Sequence, residues 1–133
     1  MRFVIKEVIS FPKEYQSGIL YWSKEFEMSA HKCACGCGDV IQIPVDAQNF
    51  RITGTSSNPT VRPSIGNWGV CDSHYYITAG NVEWLPKLSA EQISIGRTYE
   101  DARRKAHYEH MNSSFWAPLK NRVRKFWEWL RSF

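Results

Sequence analysis

All four cysteines of this 133-residue chain fall in two short segments, His31-Lys-Cys33-Ala-Cys35-Gly-Cys37-Gly38 and Cys71-Asp-Ser-His74. Three thiols within five residues, answered by a fourth far along the chain, is the ligand spacing of a four-coordinate ion. Gly36 lets the backbone fold tightly enough for the three to converge. Cys33, Cys35, Cys37 and Cys71 are therefore expected to hold one Zn²⁺. Four thiolates leave no open coordination position, so that zinc is expected to be structural. His31 or His74 can replace one sulfur, and spacing alone leaves this open.

An ion closing so long a loop pins the first two-thirds of the chain, and that region reads as strands and turns. Phe3–Ile9, Gly18–Trp22, Glu25–Ala30, Val40–Val45 and Phe50–Thr53 are short runs rich in β-branched or aromatic residues, or alternate polar with apolar. Pro44 must sit at an edge or an end. Residues 54–63 read as a turn-rich stretch. His74–Trp84 predicts a hairpin with Ala79-Gly80 at its turn. A two-residue turn pairs Ile77 with Val82 and Tyr75 with Trp84, and sets Glu83 opposite Tyr76 and diagonal to His74.

After Pro86 the period becomes helical. Thr98-x-x-Asp101 has the form of an N-cap, followed by good helix formers to about Met111. Asn112-Ser-Ser114 predicts an interruption, and Pro118 a second helical start. The expected architecture is α+β: a single domain over 1–133, with a small zinc-stapled antiparallel β-sheet in 1–86 and basic C-terminal α-helices in 97–133.

Charge follows the same division. Residues 1–96 carry 8 Lys/Arg against 9 Asp/Glu, whereas residues 97–133 carry 9 against 4. A basic tail suits nucleic acid, an acidic protein or an anionic membrane surface. No aromatic stacking platform lies beside Arg103-Arg-Lys105 or Arg122-x-Arg124-Lys125, so nucleic acid is not the expected partner. The basic amphipathic end Phe126-Trp127-x-Trp129-Leu130 is more often a docking stripe than a membrane anchor. His107 and His110 are one helical turn apart beside arginines, the pattern of a solvated face. No run of eighteen apolar residues predicts a membrane span. The N-terminus has charges within its apolar stretch and is not a secretory signal, and clustered thiols suit a reducing cytoplasm.

Catalytic chemistry has one candidate pair. His74 lies three residues beyond a metal ligand, so the metal and the strand fix its orientation, as a general base requires. Pro63 and Gly66 bracket Ser64 in what reads as a constrained turn shortly before Cys71, which brings its hydroxyl toward His74. A serine becomes a nucleophile only beside such a base. Glu83 can orient the imidazole; Asp72 is another candidate, and Asn67 is assigned to substrate binding or orientation. The bland reading of Ser64 is a turn-capping hydroxyl.

The joint pattern His31-x-Cys33-x-Cys35-Gly36-Cys37, Pro63-Ser64-Ile65-Gly66-Asn67-Trp68, Cys71-x-Ser73-His74-Tyr75-x-Ile77 and Gly80-x-Val82-x-Trp84 resembles a family of small bacterial proteins. That family is encoded beside ubiquitin-like proteins and their E1- and E2-like enzymes. The resemblance implies a cytosolic zinc-containing peptidase that processes or removes the tail of a ubiquitin-like protein. It implies Cys33, Cys35, Cys37 and Cys71 on zinc and Ser64 with His74 as the reactive pair. Its partners would be the ubiquitin-like protein and its E1/E2-like enzymes. A non-catalytic zinc adaptor or E3-like module holding a ubiquitin-like protein or an E2 is the alternative. Metal-dependent hydrolysis would need a histidine on the ion. The resemblance does not reach residues 87–133.

Overall fold

The computed structural model describes residues 1–131, with the side chains of all of these except 111–121. The chain forms two compact units, one ending at Leu88 and the other starting at Ser89.

The first unit holds eight strands in two four-stranded sheets, where the strand pattern alone predicts one sheet. β1 (Val4–Glu7), β2 (Ile19–Ser23), β3 (Met28–Lys32) and β4 (Val40–Pro44) form one, in chain order. The β1–β2 pair is parallel and the other pairs are antiparallel. Pro44 ends β4, which is itself an edge strand, so its missing N–H costs no ladder bond. β5 (Arg51–Gly54), β6 (Pro59–Gly66), β7 (His74–Thr78) and β8 (Asn81–Trp84) form the second sheet, also in chain order and antiparallel throughout.

The two sheets share one apolar core. Leu20 of β2, Ile41 and Ile43 of β4, Val61 and Ile65 of β6, and Tyr75 and Ile77 of β7 are buried together with Phe3, Cys33 and Ala34. Burying one large aliphatic or aromatic side chain of this kind is worth about 1.5–3 kcal/mol. β7 alternates, and β6 does so on either side of an irregularity at Arg62 and Pro63: Val61, Ile65, Tyr75 and Ile77 point inward, leaving His74 and Tyr76 on the outer face.

The β7–β8 hairpin has the register expected for a two-residue turn. Tyr75 pairs with Trp84, Tyr76 with Glu83, Ile77 with Val82 and Thr78 with Asn81. The stretch before it departs from expectation. Only residues 55–58 make the turn, where the Asn58 N–H donates to the Thr55 carbonyl at 3.1 Å. Residues 59–66 are a strand despite two prolines, because Pro59 starts β6 and Pro63 follows the last residue paired with β5, Arg62. Between Val61, opposite Ile77, and Ile65, opposite Tyr75, β6 spends four steps where β7 spends two. The two surplus residues form a bulge next to Ser64.

The second unit is described by one helix, α1 (Ala90–Arg131). It begins at a capping box upstream of Thr98. The Ser89 N–H donates to Gln92 Oε1 at 2.9 Å, and the Gln92 N–H donates to Ser89 Oγ at 3.2 Å. Thr98 lies inside the helix, its hydroxyl donating to the Ser94 carbonyl at 2.9 Å. The helix also runs through 112–114, where the residue types predict a break. Three poor helix formers cost only about 0.5 kcal/mol each, and the helix continues past them and past Pro118, where the residue types predict a second helical start. Among the described residues, no helix is long and apolar enough to cross a membrane.

Candidate active site

Ser64 and His74 meet on the outer face of the second sheet. Gly66 sits directly opposite His74 across the β6–β7 ladder, so Ser64, two residues earlier, is its diagonal neighbour. The bulge lifts Ser64 out of regular pairing and re-aims its side chain. Ser64 Oγ lies 2.8 Å from His74 Nε2, and His74 Nδ1 lies 3.0 Å from the carbonyl oxygen of Pro86.

The second contact fixes the first. A carbonyl oxygen only accepts, so Nδ1 carries the proton and donates it. In the neutral ring Nε2 is then the acceptor, and the Ser64 hydroxyl donates to it. This is the tautomer in which an imidazole can take a serine proton. The chain after β8 holds the carbonyl in place through the Leu85 N–H, which donates to the His74 carbonyl at 2.8 Å.

Trp68 packs against the imidazole, with ring centroids 5.2 Å apart and planes inclined at 56°. It reaches that place because residue 66 is glycine. A Cβ at Gly66 would overlap two carbons of the indole, far inside contact distance. The missing side chain is thus the seat of the ring that backs His74.

The four cysteine sulfurs form a second cluster, all within 4.8 Å of one another. In a tetrahedral site with metal–sulfur bonds of about 2.3 Å, neighbouring sulfurs are about 3.8 Å apart. Cys33 Sγ lies 3.5 Å from Cys35 Sγ and 3.6 Å from Cys71 Sγ, so the residues present fit a tetrahedral thiolate-bound ion. Gly36, between Cys35 and Cys37, has φ +85°, the left-handed backbone that turns the knuckle back on itself. Polar neighbours support the sulfurs. The Cys37 N–H donates to Cys35 Sγ at 3.3 Å, and Ser73 Oγ lies 3.1 Å from Cys71 Sγ. Burial pushes the Cys33 thiol up to about 12, whereas hydrogen bonding, that of Ser73 foremost, holds Cys35 down at about 6. Metal binding must therefore displace the Cys33 proton.

Neither His31 nor His74 belongs to the sulfur cluster. His74 is engaged by Ser64 and Pro86. His31 is fully buried, with Nε2 2.9 Å from Tyr75 Oη and its ring edge-to-face with Phe3. Burial pushes its pKa down to about 4, so the ring is neutral. Its Nδ1 has no hydrogen-bond partner among the described residues.

The remaining expected site residues lie elsewhere. Glu83 is exposed opposite Tyr76, and the ring nitrogen it is expected to hold is taken by Pro86. Asp72 accepts from the Gly69 N–H at 3.0 Å, within its own turn. Asn67 is buried, its amide nitrogen 4.0 Å from Cys37 Sγ and its backbone N–H donating to Ser73. It faces the cysteine cluster. Two contributors to the site have no role assigned to them from the sequence, although Trp68 stands within the motif at residues 63–68. The Pro86 carbonyl is a backbone atom with no sequence signature. Trp68 has one, the spacing Gly66-x-Trp68, but a glycine vacated for a ring two residues on is not a pattern that periodicity exposes.

A family model described as a bacterial ubiquitination-like system serine protease (BubE) matches residues 7–85. The matched span includes Ser64, His74 and all four cysteines, and ends before α1. No curated protein and no solved structure matches the chain.

Proposed function

Since the chain belongs to the serine protease family of bacterial ubiquitination-like systems, we propose that it hydrolyses the peptide or isopeptide bond following the tail of a ubiquitin-like protein. Ser64 is the nucleophile and His74 the base. The observation that carries this reading is the 2.8 Å contact between Ser64 Oγ and a His74 nitrogen whose acceptor state the Pro86 carbonyl dictates.

The steps follow from those atoms. Ser64 Oγ attacks the carbonyl carbon at the end of the tail while its proton passes to His74 Nε2. The resulting imidazolium keeps its Nδ1–H on Pro86, so the positive charge stays against a carbonyl dipole and the ring does not rotate. His74 then returns the proton to the leaving amine, the C–N bond breaks, and the tail remains as an ester on Ser64. Water, losing its proton to the same Nε2, attacks the ester; Nε2 then returns that proton to Ser64 Oγ as the ester bond breaks, which frees the tail as a carboxylate and restores the starting dyad. This is a dyad whose orienting group is a neutral carbonyl in place of a carboxylate.

Cys33, Cys35, Cys37 and Cys71 would hold a structural Zn²⁺. When bound, it supplies a cross-link between the knuckle and the turn that leads into β7, and with four sulfurs around it offers no position to substrate. The residue it most directly steadies is His74, three positions after Cys71.

The test is Ser64→Ala in the metal-loaded protein, assayed on a ubiquitin-like protein fused through its tail to a reporter. Turnover is expected to fall by about 10⁴-fold or more, with fold and metal content unchanged. The double variant with His74→Ala should be little worse than either single one, because the two groups act as a unit. Undiminished turnover in Ser64→Ala would refute the serine mechanism.

A further inference from the structure

Resting on the hydrolytic reading above, we infer that the substrate tail binds as an added strand along the free edge of β6 at Gly66, recognised through its main chain.

β5 covers only the first half of β6. Their pairing runs from Gly54 opposite Pro59 to Arg51 opposite Arg62 and stops there. Phe50, the residue that would continue it, turns away instead. Its N–H donates to the Pro44 carbonyl at 3.0 Å, and it bridges Val45. Among the described residues, no strand pairs with Pro63–Gly66 on that side. The uncovered half is the half that carries Ser64.

The direction of the backbone groups follows from the bonds on the other side. The Asn67 N–H donates to the Ser73 carbonyl at 2.9 Å and so points toward the chain entering β7. In an antiparallel ladder successive residues alternate, so the N–H and C=O of Gly66 point the opposite way, to the uncovered side. His74 agrees with this, since its carbonyl is spent on the Leu85 N–H. The Gly66–His74 pair is a non-hydrogen-bonded one, the kind that brings the two outer-face positions closest.

An unpaired edge of this kind is a template for another strand. Its occupant is an extended peptide segment, because a chain paired at about 4.8 Å runs alongside Ser64 as it passes Gly66. The residue facing Gly66 also has Trp68 on its outer face. That crowds a bulky side chain and favours glycine or alanine there. Binding through the main chain, with one position kept small, suits a flexible, side-chain-poor tail.

The experiment uses the full-length protein and a ubiquitin-like protein with a semisynthetic tail. Each of the main-chain nitrogens in the last few tail residues before the cleaved bond is methylated in turn. Pairing with Gly66 predicts a fall in kcat/KM of about tenfold or more at the nitrogen facing the edge, while its immediate neighbours stay within about threefold, since each lost backbone bond is a discrete loss. A flat or steadily graded profile on a tail that is otherwise cleaved overturns the strand pairing and leaves the Ser64 mechanism standing. Failure to cleave the unmodified tail overturns both.

Discussion

His74 donates from Nδ1 to the Pro86 carbonyl at 3.0 Å, twelve residues away along the chain. The hairpin of β7 and β8 brings the two together, so the length of chain between them is part of the site. Inserting one glycine after Leu85 keeps the Leu85 bond to β7 and displaces the Pro86 carbonyl. We expect kcat to fall by about 10²-fold with KM nearly unchanged, as for loss of a group that only holds a tautomer. Steady-state kinetics on the tail fusion checks this, and an equal rise in KM would argue for damage to substrate binding instead.

Gly66 and Trp68 are coupled by space. Gly66→Ala forces the indole off its seat and should cost about 1–3 kcal/mol of stability, together with activity. In a Trp68→Ala background the same substitution meets no ring, and most of its stability cost should vanish. Urea unfolding of the four variants measures the interaction; additive effects would mean that the ring and the glycine are independent.

Metal content and fold should respond together. Cys33→Ser or Cys71→Ser is expected to abolish binding of the single ion and lower the melting temperature, with loss of activity as a consequence. His31→Gln and His74→Gln should each retain one ion per chain, because neither ring belongs to the sulfur cluster. Elemental analysis of the purified variants decides the point.

Tyr75→Phe removes the hydroxyl that lies 2.9 Å from the buried His31 Nε2. With Nδ1 already unpartnered, the ring would be left with no hydrogen bond. A loss of about 1–3 kcal/mol is expected, the cost of an unsatisfied buried polar group. Denaturant titration measures it, and a change within error would show that the ring finds another partner.

Much of the site is legible in the residues alone because strands keep strict time. The Ala79-Gly80 turn sets the β7–β8 register, and with it the face shared by His74, Tyr76 and Glu83. Cysteine spacing points to the sulfur cluster for a similar reason, since only a tight knuckle can bring three thiols together. What the residues do not disclose depends on partners, not on pattern. Residues 59–66 resemble a turn because prolines disfavour ladders in general, yet here Pro63 falls where no ladder on the β5 side continues. Glu83 is the obvious partner for His74 by residue type, and a backbone carbonyl takes its place. The start of α1 departs in the same way. The residue types point to Thr98-x-x-Asp101, and the observed bonds put the capping box at Ser89 and Gln92 instead.

The surplus in β6 has a parity. Two extra residues between Val61 and Ile65 restore the inside–outside alternation, so both stay buried while the chain between them bows outward. A single inserted or deleted residue in that bow, with no other adjustment, would turn Ile65 to water and Ser64 inward. An odd-length change there is therefore expected to unseat Ile65 and Ser64 together unless a further bulge absorbs it.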